Sequence, residues 1–136
     1  MREIHFRGIC KDSKRWAYGY YVHFEDFSQG INYHGICSGY YNTHFEVIPE
    51  TVGQYTGLKD KNNVDVFEGD IVVCNQSGSY GISVIIYDNS AFYVMPLNGN
   101  ILERTLWDYW YNDWDIEVIG NIHDNPELLK GSAKNE

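Results

Sequence analysis

At 136 residues the chain is long enough to bury a core without disulfide or metal support, and a composition 43% hydrophobic and 16% aromatic suits a globular β-rich protein. A formal net charge of −9 opposes binding that depends on neutralising phosphates. No apolar run approaches the roughly 20 residues of a membrane helix, and Met1-Arg2-Glu3-Ile4-His5 lacks the apolar core of a signal peptide, so a cytoplasmic, non-membrane setting is expected.

The charge is unevenly placed. Residues 1–24 hold five basic side chains (Arg2, Arg7, Lys11, Lys14, Arg15) against Glu3 and Asp12, a local +3, which leaves −12 for the remainder. Such asymmetry fits an N-terminal hairpin that docks on an acidic neighbour, in the same chain or in another copy; a solvated turn accounts for it equally well. The three cysteines, Cys10, Cys37 and Cys74, are odd in number and widely spaced, which argues against a disulfide framework.

In chain order, Arg2 to Ile9 alternates as a strand, Lys11-Asp12-Ser13-Lys14 turns, and Trp16 to Phe24 returns as a Tyr-rich strand. These form an N-terminal hairpin over 1–24. Glu25 to Asn42 has Gly30, Gly35 and Gly39 breaking any period and reads as a variable loop or irregular hairpin, 25–43. His44 to Ile48 is a strand, and Pro49-Glu50 a corner. Gln54 to Cys74 carries the densest structural signals in the chain. Gln54-Tyr55-Thr56 is β-prone, and Asp60-Lys61-Asn62-Asn63 is a turn because Asp and Asn side chains bond their own backbone. Val64 to Phe67 re-enters strand. Glu68-Gly69-Asp70 then turns the chain, with Asp70 set to cap backbone N–H groups, into Ile71-Val72-Val73-Cys74, whose unbroken apolar run implies burial on both faces.

After a loop at 75–79 come strands at Ile82–Tyr87 and Ala91–Met95, separated by an Asp88-Asn89-Ser90 turn. Ile101 to Asn112 is ambiguous. Ile101, Leu102, Thr105, Leu106 and Tyr109 share a helical face, but the aromatics favour extended structure. Asp115 to Ile122 is a strand. Asn125 is placed to cap a short helix over 125–130, with Pro126 in its first turn and Gly131 as its stop. No repeat or linker interrupts the sequence, so one domain over 1–136 is expected.

Candidate sites are few. His34, Cys37 and His44 have a metal-ligand look but lack a fourth ligand and the paired spacing of zinc sites, so structural roles are favoured and neither metal nor cofactor is expected. Asp108, Asp113, Asp115 and Glu117 flank Trp107, Tyr109, Trp110 and Tyr111. Acids among stacking aromatics suit a sugar or a base, although a core or oligomer-interface role for the aromatics fits better. There is no Gly-x-Ser-x-Gly elbow, and Cys74 ends an apolar run that raises a thiol pKa. Phosphate-binding glycine loops of the Gly-x4-Gly-Lys and Gly-x-Gly-x2-Gly kinds are missing as well. The sequence therefore points away from an enzyme.

The stretch TVGQYTGLKDKNNVDVFEGDIV, Thr51 to Val72, resembles the signature of the YopX family of bacteriophage and prophage proteins. REIHFRGICKDSKRWAYG at Arg2–Gly19 and VIGNIHDNPELL at Val118–Leu129 agree with it in order and spacing. The family usually has Gly where this chain has Asn63, a change the turn tolerates because Asn also accepts positive φ. The resemblance implies a mostly β, oligomeric protein of phage origin in the bacterial cytoplasm, and it supplies no catalytic residues.

The fold expected is mainly β: a small SH3-like barrel over about 44–122, an N-terminal hairpin and a short C-terminal helix. The function expected is a non-enzymatic, self-associating module that binds a host or phage protein. Its candidate interface is Arg2, Arg7, Lys11, Lys14, Arg15, Trp107, Tyr109, Trp110 and Tyr111. Two alternatives stand beside it: a nucleic-acid-binding barrel in phage replication or gene control, and an acidic mimic of DNA that inhibits a host protein.

Overall fold

Alternating polar and apolar residues lay down most of the chain as strand. The computed structural model describes residues 3–39, 43–76, 79–97, 104–111 and 115–134. The fold is mainly β and divides into two compact units, Met1–Tyr55 and Thr56–Glu136.

In the first unit, β1 (Phe6–Ile9), β2 (Trp16–Asp26), β3 (Ile31–Ser38) and β4 (Thr43–Glu46) form an antiparallel meander, with the start of β5 (Gly53–Lys59) on the far side of β1. The turn after β1 closes through Cys10 N–H to the Arg15 carbonyl, 2.9 Å, and Lys14 adopts φ +62°. A 3₁₀ turn at Pro49–Thr51 follows β4. The Thr51 hydroxyl donates to the Ile48 carbonyl at 2.6 Å and accepts from Ile9 N–H at 2.9 Å. The core of this unit is small: Cys10, Ala17, Ile36 and Val47 are buried, with Phe6, Tyr21 and Val52 packed against them.

Residues 25–43, expected as a variable loop or irregular hairpin, contain the β2–β3 hairpin turn and all of β3. It pairs with β2 from Tyr20↔Cys37 to Asp26↔Ile31, and with β4. The glycines that break the sequence pattern serve this pairing. Gly30, at φ +67°, sits in the turn, and a Cβ at residue 35 would collide with the ring of Tyr33. Partner strands, not local propensity, hold β3 extended.

The second unit receives the end of β5, whose neighbour there is β6 (Asp65–Phe67). The turn between them is the one expected. Asp60 Oδ1 accepts from Asn62 N–H at 2.8 Å and Val64 N–H at 2.9 Å, and Asn63 sits at φ +67°. Asp60 Oδ2 also accepts from Val118 N–H at 2.9 Å, a long-range tie that sequence spacing does not reveal. Asp70 caps as expected, taking the Phe67 N–H at 2.7 Å from a fully buried position.

A second antiparallel sheet follows in the order β10-β9-β8-β7-β11. It is built from β7 (Asp70–Gln76), β8 (Ser79–Asp88), β9 (Ala91–Pro96), β10 (Arg104–Thr105) and β11 (Asp115–Asn121). Asn89 and Ser90, at φ +46° and +66°, make a two-residue turn between β8 and β9 whose twist matches the strands. The sheet order is open, ending on β10 and β11, and no closed barrel forms among the described residues. Val66, Val72, Cys74, Ile85, Val94, Leu106, Tyr109 and Ile116 make a core twice as populous as that of the first unit.

The ambiguous segment resolves into β10 and a helix, α1 (Leu106–Tyr111). The Thr105 hydroxyl accepts from Asp108 N–H at 3.2 Å and donates to the Asp108 carboxylate at 3.0 Å, a reciprocal cap that starts the helix despite its aromatics. Ile101 and Leu102, part of the helical face expected here, lie outside the described residues. The last helix, α2, spans Glu127–Lys134 and so runs through Gly131, which does not stop it. An interior glycine costs only about 1 kcal/mol relative to alanine, and Leu128, Leu129 and Lys130 favour helix. Asn125 does not cap it with its side chain, which turns back to accept from Asn121 N–H at 3.2 Å.

Candidate interaction surface

The side chains proposed from sequence scatter when placed. Arg7 is buried, its guanidinium 4.5 Å from the Trp16 ring centroid, where it packs inside the first unit. Lys11 pairs with Glu46 at 3.1 Å, and Lys14 donates to the Lys11 carbonyl at 2.7 Å. Arg15 is exposed on the same turn, and Arg2 lies outside the described residues. On α1, Tyr109 is buried in the core while Trp107 is 55% exposed; the side chains of Trp110 and Tyr111 are outside the described ones. Of the acids flanking these aromatics, Asp113 also lies outside the described residues.

What the fold does bring together is a face that the sequence reading missed. Successive side chains of a strand point to opposite sides, so Ala17 and Tyr21 turn inward on β2 while Tyr18, Tyr20, Val22 and Phe24 share the other face. Those four stay in solvent, with Tyr18, Tyr20 and Phe24 at 53%, 62% and 52% exposure. Directly opposite Phe24 on β3 is Tyr33, whose ring occupies the space above Gly35 and widens the stripe. Along this face of β2 no charged side chain falls between Trp16 and Asp26; Glu25 belongs to the other face.

The tip of the β2–β3 hairpin is a built turn. Asp26 Oδ1 accepts from the Ser28 N–H at 3.1 Å and the Ser28 hydroxyl at 2.6 Å, and the Asp26 carbonyl accepts from Gln29 N–H at 3.2 Å. The Ser28 hydroxyl holds the Asp26 carboxyl below its ordinary pKa. On this turn stands Phe27, 90% exposed.

The opposite face of the hairpin is polar. Tyr21 Oη lies 2.6 Å from His34 Nδ1, and His34 stacks on His23 with ring centroids 4.1 Å apart. Burial raises the Tyr21 hydroxyl pKa, which keeps the proton on the hydroxyl oxygen. His23 Nε2 faces Asn32 Oδ1 at 2.9 Å and Glu25 Oε1 at 3.1 Å, which makes it a donor. The pairing puts Cys37 opposite His44 and His34 opposite His23, so alternation along β3 separates His34 from Cys37 and His44. Among the described residues no three His, Cys, Asp or Glu side chains gather as a metal site.

In the second unit, Leu58, Phe92, Leu106 and Trp107, with Thr56 and Thr105, line a pocket of about 310 Å³. Both threonine hydroxyls are engaged internally, Thr56 donating to the Val66 carbonyl at 2.7 Å and Thr105 to Asp108. Cys74 lies in the core of this unit. Burial pushes its thiol up to about 11, against the smaller opposing effect of hydrogen bonds from Ser83 and Tyr109. A thiol so placed is a poor nucleophile near neutrality.

A family model described as YopX protein matches residues 5–130 of the chain. Among solved structures, the crystal structure of protein EF1440 from Enterococcus faecalis is similar at 28% identity and a TM-score of 0.57, covering 95% of this chain and 99% of that one. No curated protein matches it.

Proposed function

The chain belongs to the YopX family, and from that premise we propose that it is a protein-binding module acting by association and not by catalysis. The aromatic face of β2 is its contact surface. One observation carries this reading. A single strand leaves Tyr18, Tyr20, Val22 and Phe24 in solvent on one face. Tyrosine suits such a surface because its ring gives contact area while its hydroxyl keeps the unbound face wet. The exposed aromatics found here replace the α1 aromatics as the preferred contact surface, since Tyr109 is committed to the core.

The reading includes a role as a phage or prophage accessory protein in the bacterial cytoplasm, which rests on the family resemblance. It also includes an SH3-like curl of the second sheet. The support for that is connectivity: four strands in a meander, then a short helix, then a fifth strand that returns to pair with the first.

The test compares proteins captured from bacterial lysate by the wild-type chain and by a Tyr20→Ser/Phe24→Ser variant with an unchanged thermal melt. A protein, or the chain itself, retained by wild type and lost by the variant is expected. If everything captured is shared equally, the face is not a contact surface. The DNA-mimic reading keeps one favourable observation: Thr56–Glu136 holds thirteen acidic against five basic residues, so nearly all the excess acid lies in one unit. That reading requires duplex DNA to compete for the captured protein.

A further inference from the structure

Resting on the binding-module reading, we propose that the partner of the β2 face is a second copy of the same chain, and that two copies pair these stripes across a two-fold axis.

The first argument is area. Four aromatics, Tyr18, Tyr20, Phe24 and Phe27, are between about half and nine-tenths exposed. At about 150–250 Å² per buried aromatic side chain they offer roughly 400–600 Å² of coverable surface. Val22 and Ile31, each about two-fifths exposed, extend the same hairpin. Standard stable interfaces bury about 800 Å² per partner, with an apolar centre and a polar rim. The hairpin therefore supplies the apolar centre of an interface of ordinary size, with the rest left to its surroundings.

The second argument is charge. A chain of net −9 that meets a copy of itself must do so where charge is least. The first unit holds five basic and six acidic residues, whereas the second holds five basic and thirteen acidic. Like-on-like contact through the β2 stripe sets the less charged unit, five basic against six acidic, against itself, with Glu25 and Asp26 at the hairpin tip as the acidic rim of an isologous two-fold contact. Contact through the second unit would set −8 against −8.

The third argument is the state of the hairpin. Two-stranded hairpins are marginally stable in water unless a further layer packs on them. Beyond Tyr21 and Ile36, which reach the core of their unit, the ladder from Val22↔Gly35 to Asp26↔Ile31 leaves the apolar Val22, Phe24 and Ile31 in solvent beside the polar His23, Glu25 and Asn32. The Asp26–Ser28 turn nevertheless holds the tip in one shape, so little further ordering is needed to bind.

Light scattering and sedimentation of the full chain, from about 1 to about 100 µM, test this. A monomer–dimer equilibrium is expected, with a dissociation constant changed little by salt because the stripe carries no charge. Val22→Glu should weaken it by at least about tenfold, and Tyr20→Ser/Phe24→Ser similarly, should the glutamate variant fail to fold. Trp107→Ser should leave it unchanged. A wild-type chain that stays monomeric throughout overturns the proposal. So does a dimer indifferent to both stripe variants, or one that dissolves steeply with salt, which would indicate docking of the Lys11–Arg15 turn on acid. A monomeric wild type whose stripe variant still loses a lysate protein would remove the second copy as partner and leave the binding-module reading intact.

Discussion

The two units handle apolar residues in opposite ways. Thr56–Glu136 draws eight buried side chains into one core and holds thirteen acidic against five basic residues. Met1–Tyr55 buries four and leaves Tyr18, Tyr20, Val22, Phe24, Phe27 and Ile31 in solvent on one hairpin. The difference separates two physical tasks. The acidic unit has a filled interior and a net charge that repels its own kind. The other unit has a smaller interior and, on one face of β2, an aromatic stripe with the composition of an interface core more than of a free surface.

The sharpest way to break this contrast is to delete side chains of similar size from each setting. Ile85 is fully buried between β7 and β9 in the second sheet, so Ile85→Ala should cost about 3–5 kcal/mol, read from urea unfolding. Phe24→Ala removes a larger side chain from the exposed stripe and should change monomer stability by no more than about 0.5 kcal/mol while weakening association. If Phe24→Ala cost as much as Ile85→Ala, the stripe would belong to a core and the contrast would collapse.

Buried and exposed turns sharpen it next. Asp60 and Asp26 both organise turns through a carboxylate, but Asp60 is buried and accepts from Asn62, Val64 and Val118 N–H groups. Asp60→Ala strands three donors, and a loss of about 3 kcal/mol is expected in the same unfolding measurement. Asp26 is half-buried and its carboxylate bonds within the hairpin tip, so Asp26→Ala should leave global stability nearly untouched and loosen only the tip. Faster amide exchange at Ser28 and Gln29 alone would show this.

Much of the fold is legible in sequence because its signals are local. The Asp60–Asn63 turn, the Asp70 cap and the buried run from Ile71 each follow from residues within a few positions of one another. β3 is not legible, since Gly30, Gly35 and Gly39 erase its period and its extension is imposed by β2 across the ladder. Nor does composition mark the boundary between the units, which falls inside β5. The contact face is hidden for another reason. Both sides of β2 carry apolar or aromatic residues, Ala17 and Tyr21 with His23 and Glu25 on one and Tyr18, Tyr20, Val22 and Phe24 on the other. Period-two alternation assigns residues to faces, but only tertiary packing says which face is covered. Clustering drew attention to the α1 aromatics instead, and there the cap at Thr105 makes a helix that sinks Tyr109 into the core.

Proton linkage offers a milder probe of the same two interiors. Burial raises the Cys74 thiol from an ordinary 9.0 to about 11. Below pH 9 the folded and unfolded chains both hold this proton, and stability does not depend on it. Between 9 and 11 the unfolded chain releases the proton while the folded chain keeps it, so stability falls as pH rises. The loss reaches about 3 kcal/mol and is constant above the folded value. Tyr21 in the first unit, raised by burial as well, acts in the same direction. Cys74→Ala should flatten the alkaline loss of stability, whatever its cost at neutral pH. An unchanged slope in urea unfolding between pH 8.5 and about 11 would mean the thiol titrates normally and the core of the second unit is wetter than its burial implies.

The smallest effect concerns a single backbone angle. Asn63 stands at φ +67° in the turn between β5 and β6, and its N–H donates to the Asp60 carbonyl at 3.0 Å. A side chain without a local polar group pays the left-handed cost in full, roughly 1–2 kcal/mol per residue. Asn63→Ala should therefore lose about 1 kcal/mol. Asn63→Gly relieves the strain but adds freedom to the unfolded chain, and the two nearly cancel. The pair of variants isolates conformation from contact because Asn63 is exposed and its replacement empties no core. Equal losses for alanine and glycine would show that the amide side chain, not the backbone angle, is what the turn requires. A loss confined to alanine would tie the Asn63 position to the same left-handed geometry that glycine provides.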